Sequence, residues 1–143
     1  MDKTLIAQHT VEINATPSQI WDVLTHPEKI KVYLYGTQVS TDWKEGSQIS
    51  FKGQYQGNIY EDKGKVISVS PQEELKYNYW SGMSGLEDTP ENYSNVSYII
   101  KAIDSSRCEF TWHQQGFSSE KSKCHTEEGL KSMLAQIKTL SEK

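Results

Sequence analysis

Leu130, Met133, Leu134, Ile137 and Leu140 recur at i, i+3, i+4, i+7 and i+10, one apolar stripe near the C-terminus. The helix this predicts opens at Ser118 or Ser119, a capping hydroxyl, with Glu120 close to the positive end of the dipole. Lys131, Gln136, Lys138 and Glu142 fall on the opposite face. So concentrated a stripe is not stable alone in water, because most helical stability in proteins comes from packing an apolar face. The rest of the chain must supply a surface for it to lie on.

That surface reads as strands. Thr10, Val11, Glu12, Ile13 and Asn14 alternate polar and apolar and predict a first, half-buried strand. Thr16 and Pro17 then form a helix start, and Ile20, Trp21, Val23 and Leu24 gather on one side of the helix that follows. His26-Pro27 stops it, since the residue before a proline is pushed out of the α region. A second short helix is expected over residues 28–32. Beyond it, Ile49, Phe51, Gly53 and Tyr55 alternate with Ser50, Lys52 and Gln54. A turn near Gly57 leads into a longer strand from Tyr60 to Val69, and Ser70-Pro71-Gln72-Glu73 turns the chain into Leu75, Tyr77 and Tyr79. Residues 82–92 hold two glycines, a proline and three acids without periodicity and read as a long loop. Val96, Tyr98 and Ile100 form the next inward set; after a tight turn at Asp104-Ser105-Ser106 come Cys108, Phe110, Trp112 and Gln114, and Gly116 is expected to break the sheet. One face buried and one wet on each strand favours antiparallel pairing. Strands in a run, flanked by helices, argue for an α+β domain with about six or seven antiparallel strands on which the long C-terminal helix packs.

At 143 residues the chain has the size of one domain, here taken as residues 1–143, and can bury a sufficient core without a disulfide or metal. Cys108 and Cys124 are far apart in sequence, form no CxxC pair and are read as reduced. The N-terminal residues lack the apolar run of a signal peptide, and no stretch reaches the length of a membrane span, so a cytoplasmic protein without integral membrane contact is expected. The net charge of −4, with lysines scattered among acids, argues against nucleic acid as a partner, which would call for a basic stripe.

The stretch Pro17-Ser18-Gln19-Ile20-Trp21-Asp22-Val23-Leu24-Thr25-His26-Pro27 resembles the opening of the START-like, or SRPBCC, superfamily. Within it the chain is similar to the family named for homology to the C-terminal domain of the activator of heat shock protein 90 ATPase. Asp42-Trp43-Lys44-Glu45-Gly46-Ser47, Gly64-Lys65-Val66-Ile67-Ser68-Val69-Ser70-Pro71 and Gln115-Gly116-Phe117 carry the resemblance further, in order, across essentially the whole chain. Two positions depart from it: Val32-Tyr33-Leu34 replaces a Trp-Phe pair, and Gly129-Leu130 replaces Gly-Trp on the last helix. The resemblance implies a helix-grip fold with two short helices after the first strand, and a hydrophobic cavity between sheet and helix.

No residue pattern points to a catalytic centre or a metal. His9, His26, His113 and His125 show no zinc spacing, no Gly-x-Ser-x-Gly elbow is present, and the glycines form no phosphate loop. No catalytic residue, metal or cofactor is assigned. The aromatic content is the stronger signal, with eight Tyr, four Trp and three Phe. Phe51, Tyr55, Tyr77, Tyr79, Tyr98, Phe110 and Trp112 are expected to face the long helix. Any one of them could simply fill a core. As a group they bring many inward hydroxyls, which are costly unless bonded to one another, to water or to a ligand. Gln114 adds a polar group on that face, Leu130 and Leu134 face it from the helix, and Tyr33 either caps the core or gates a cavity. The expected function is noncatalytic binding of a small hydrophobic or amphipathic molecule at these residues. The alternative is a protein-interaction module associated with a chaperone. Little stimulation of a chaperone ATPase is expected, because the activator joins such a domain to a second one for which 143 residues leave no room. A cavity-based enzyme would need a buried acid or base that the sequence does not advertise.

Overall fold

The structure, a computed structural model, describes the backbone of residues 1–143 and every side chain except that of Tyr55. It contains strands β1 (Asp2–Ile13), β2 (Gln38–Ser40), β3 (Gln48–Tyr55), β4 (Asn58–Ser70), β5 (Glu74–Trp80), β6 (Ser94–Ala102) and β7 (Cys108–Phe117). Three α-helices accompany them: α1 (Pro17–Thr25), α2 (Pro27–Tyr33) and α3 (Glu120–Ser141). The strands form one antiparallel sheet in the order β1-β7-β6-β5-β4-β3-β2, so β1 closes the sheet beside β7 and the rest is a meander. The sheet curves, α3 lies in the hollow, and α1 with α2 closes one end: the α+β helix-grip architecture.

Local chemistry accounts for the short helices. Thr16 and Gln19 form a reciprocal capping box, the Thr16 hydroxyl accepting from the Gln19 N–H at 3.2 Å and the Gln19 side chain accepting from the Thr16 N–H at 2.8 Å. His26 ends α1 and starts α2, its Nδ1 accepting from the Glu28 N–H at 3.2 Å. Gln56 and Gly57 both take positive φ (51° and 82°), the backbone a tight hairpin requires between β3 and β4.

Three sequence expectations are corrected. β1 starts at Asp2 rather than Thr10, because Leu5, Ala7 and Val11 continue the inward parity of Ile13 back to the N-terminus. Gly116 does not break the sheet: β7 runs through it to Phe117, which pairs with Asp2, and the φ of 102° at Gly116 is absorbed by a register shift in β1. Residues 82–92 are not a bare loop. They contain two 3-10 turns, fastened by an ion pair from Lys63 to Asp88, a Tyr93 hydroxyl to Asp88 hydrogen bond and a Trp80 indole N–H donated to the Leu86 carbonyl at 3.2 Å.

Leu130, Leu134 and Ile137 of α3 are fully buried, with Met133 and Leu140 packed beside them. The helix packs chiefly on β1, is braced by α1 and α2, and touches β7 beside β1. Since β1 and β7 are neighbours at one side of the sheet, β3, β4 and β5 carry the part of the concave face that α3 does not cover.

Candidate functional site

Beside α3, over that uncovered part of the sheet, lies a cavity of about 510 Å³. Phe51 on β3, Asp62 on β4, Tyr77 and Tyr79 on β5, and Trp112 with Gln114 on β7 form its floor. The first half of α3 supplies the opposite wall through His125, Gly129, Leu130 and Met133. A second hollow of about 320 Å³ adjoins it, sharing Tyr79, Met83, Gln114 and His125. The two together make a groove running along α3 toward the N-terminal end of the helix.

The floor is an aromatic ladder across the strands. Phe51 meets Tyr79 edge-on with centroids 5.2 Å apart, Tyr77 meets Tyr98 at 5.4 Å, and Tyr98 packs on Trp112 at 4.6 Å and on Phe110 at 5.9 Å. Phe51 and Tyr79 belong to strands separated by β4. Between them β4 presents Asp62, opposite Phe51, and Gly64, which has no side chain to keep the rings apart. Gly64, opposite Tyr79, could not carry even a methyl group: a Cβ would sit 1.9 Å from the Asn78 carbonyl oxygen.

The tyrosine hydroxyls are satisfied within the protein. Tyr33 donates to the Leu24 carbonyl at 3.1 Å, Tyr77 and Tyr98 bond to each other at 2.7 Å, and Tyr79 donates to Asp62 Oδ2. The Trp112 indole N–H donates to Gln114 Oε1 at 3.2 Å. Burial raises the pKa of Tyr33, Tyr77 and Tyr98 above the ordinary phenol value; for Tyr79 burial comes first and the Asp62 carboxylate second. All four stay protonated as donors at neutral pH. The inward hydroxyls therefore do not by themselves call for a ligand.

Asp62 is different. It is 5% exposed, and its Oδ1 is buried with no hydrogen-bond partner among the described residues. No Lys or Arg lines the cavity among the described residues, and Asp62 is the one carboxylate that does. A buried carboxyl oxygen without a partner is costly, by about 1–3 kcal/mol or more for a charged group. The aromatic groove thus has one unsatisfied acceptor in its floor.

Of the residues expected from sequence, Phe51, Tyr77, Tyr79, Trp112, Gln114 and Leu130 line the cavity. Tyr98, Phe110 and Leu134 lie behind it in the core at 2%, 0% and 0% exposure. The Tyr55 side chain lies outside the described residues. Tyr33 is 1% exposed and does not line the cavity: it falls on the same face of α2 as the buried Ile30, so it caps the core. The residue at the mouth is Tyr35, just past α2, whose positive φ (52°) turns its ring outward to donate from its hydroxyl to Ser132 Oγ on α3 at 2.6 Å. Sequence reasoning also missed Asp62, Tyr60 and Gly129. Asp62 was within reach, since the two-residue period through Val66 and Gly64 puts it on the inner face. Tyr60 lies over Gly53, its directly paired neighbour, and its hydroxyl bonds Thr37 Oγ1 at 2.7 Å.

Residues 14–142 match the family model described as Activator of Hsp90 ATPase homolog 1-like protein. The chain belongs to this family. Protein ChR145 from Cytophaga hutchinsonii, known from a solution structure, is similar at 39% identity and a TM-score of 0.81, the match covering 97% of this chain and 94% of that one. The Aha1 dimer from Colwellia psychrerythraea shares the fold at 16% identity and a TM-score of 0.72, with 96% of each chain covered. PFC0360w, an HSP90 activator from Plasmodium falciparum, shares it at 12% identity and a TM-score of 0.75, with 95% of each covered. No curated protein matches the sequence. For members of this family with such a groove, the fold positions the site but does not name its occupant.

Proposed function

We propose that the whole chain acts as one noncatalytic binding domain for a small amphipathic molecule, held in the groove between α3 and the β3–β5 part of the sheet. The observation that carries this reading is Gly129. It stands in the interior of α3, where glycine costs about 0.8–1.0 kcal/mol relative to alanine. It lines the cavity, and a Cβ added there meets nothing within 4 Å. A stability cost inside a long helix that leaves open space opposite aromatic rings fits a ligand chamber better than a packed core. An aromatic body burying roughly 200 Å² of apolar surface gains about 5 kcal/mol before the costs of immobilisation. The body alone therefore supports binding no tighter than ~0.1 mM, and a polar anchor is required for more.

The test is titration of the protein with fatty acids, sterols and aromatic metabolites, repeated on Gly129→Trp, which places an indole in the cavity from the helix side. Compounds that bind the native protein should lose affinity for a variant that retains native circular dichroism. Binders wholly indifferent to the plug would defeat the reading. Family membership supports a second possibility, a protein partner such as a chaperone, and stimulation of a chaperone ATPase by the purified protein would favour it. The unlinked thiols Cys108 and Cys124 support a reducing compartment, and hence a cytoplasmic location. No helix among the described residues is long and apolar enough to cross a membrane.

A further inference from the structure

The ligand-chamber reading leaves the head group of the occupant open, and the inference that follows rests on that reading. We infer that the groove selects amphipathic amines: a protonated nitrogen opposite Asp62 and an aromatic or apolar body along the Phe51–Tyr77–Trp112 floor. Three independent observations converge on this chemistry. Asp62 Oδ1 is buried without a partner among the described residues, while Oδ2 already accepts from Tyr79. An acceptor in that state takes a donor from the ligand, and a charged donor gains most from it. The cavity wall carries no Lys or Arg among the described residues, so no permanent cation stands there to pair with the carboxylate or repel an amine, and His125 is the one basic side chain in the lining. The faces around Asp62 are aromatic, with Phe51 directly opposite it in the β3–β4 pairing and packed edge-on to Tyr79. Aromatic side chains beside a carboxylate are a setting in which organic cations bind well away from water.

The same features disfavour other heads. A carboxylate or phosphate head would meet Asp62 without a Lys or Arg in the lining to compensate it, and like charges in a desolvated site cost heavily. A neutral hydroxyl can donate to Oδ1 but leaves the charge unpaired. An inorganic metal ion would need several hard oxygen ligands, and no group of three His, Cys, Asp or Glu side chains suited to a metal occurs among the described residues. Asp62 lines the cavity but Oδ1 itself is covered, so the head reaches it through rotation of the carboxylate about χ2, a soft torsion. Met83, 61% exposed on the 3-10 turn at the groove wall, is a flexible neighbour that yields to such an approach.

Three probes with one body test it: 2-(naphthalen-2-yl)ethylamine, 2-(naphthalen-2-yl)ethanol and naphthalen-2-ylacetate, titrated calorimetrically at pH 7 against the native protein and Asp62→Asn. The amine should bind the native protein about ten- to a hundredfold more tightly than the alcohol, and the acetate most weakly. In Asp62→Asn that preference should collapse toward the alcohol's affinity, with the alcohol itself little changed and the acetate improved. Thermal melting of the variant guards against loss of fold; Asn keeps an acceptor for the Tyr79 hydroxyl and removes the buried charge, so it should melt close to the native protein. Tyr79→Phe supplies a second variant, freeing Oδ2 as well, and should hold or strengthen the preference for the amine. An amine no tighter than the alcohol in the native protein, or an order unaffected by Asp62→Asn, overturns the inference while leaving the chamber intact. Failure of all three probes to bind overturns the inference and the chamber together.

Discussion

The buried hydroxyl pair of Tyr77 and Tyr98 offers the sharpest energetic test of how the aromatic floor is held. The two oxygens are 2.7 Å apart, and the residues are 3% and 2% exposed, so water is a poor replacement for a missing partner. Tyr98→Phe alone strands the Tyr77 hydroxyl, and Tyr77→Phe alone leaves the Tyr98 hydroxyl only the neighbouring Tyr33 phenol. Each single change should cost about 1–2 kcal/mol, most of it the desolvation penalty of the group left behind. Removing both hydroxyls strands neither, and the edge-to-face ring contact at 5.4 Å is retained. The double variant should therefore cost well under the sum, with a coupling of about 1 kcal/mol or more. Urea denaturation of the four proteins, followed by circular dichroism, closes the cycle. Strictly additive losses would show that the two hydroxyls are not each other's partner, and the internal satisfaction of the floor would have to be abandoned.

Other outcomes follow from single positions. Gly64→Ala should destabilise by about 1–3 kcal/mol, because the new Cβ collides with the backbone oxygen of Asn78 and not with a side chain that can turn away; a neutral result by thermal melting would contradict the close approach of β4 and β5. Gly129→Ala should raise stability by up to ~1 kcal/mol through helix propensity alone, and a loss would mean the space beside α3 is not open. Glu142 accepts from Lys138 and from the Asn14 N–H, and these bonds, the lysine first, hold its pKa below the ordinary carboxylate value. A depressed folded value contributes stability above the unfolded pKa and loses it as pH falls through the folded one. Glu142→Gln should thus cost under ~1 kcal/mol at pH 7, as partly exposed pairs do, with the difference closing below about pH 4; a difference that persists at low pH would refute the assignment.

The architecture was readable because its determinants are local and periodic. The stripe from Leu130 to Leu140 defines the face α3 buries, and the two-residue alternation through Phe51, Tyr77, Tyr98 and Trp112 defines the inner face of the sheet. What the periodicity cannot convey is where along that face the helix stops covering it. Tyr98 and Phe110 share their parity with the cavity residues, and Leu134 its stripe with Leu130, yet all three lie behind the cavity because α3 packs chiefly on β1. Parity alone assigns a side, not a depth. Tyr33 and Tyr35 show a similar gap: two residues apart, they part company because α2 ends between them and the backbone at Tyr35 turns left-handed. Asp62 is the instructive omission. Its strand position already placed a carboxyl group inward, but the absence of a protein partner for Oδ1 is a three-dimensional fact. The inward tyrosine hydroxyls bond to one another, to the backbone or to Asp62, and the unsatisfied atom is the second oxygen of that acid.

The central claim is that the groove beside α3, floored by the aromatic ladder, is where this protein holds its ligand. The chain has three methionines, of which Met83 and Met133 line the main cavity while Met1 lines only the adjoining hollow. With carbon-13 placed in the methionine methyls, titration with 2-(naphthalen-2-yl)ethylamine should move the Met83 and Met133 resonances and give contacts from both methyls to the naphthyl protons, with Met1 least affected. Saturable binding that leaves Met83 and Met133 in place would put the ligand elsewhere and contradict the account.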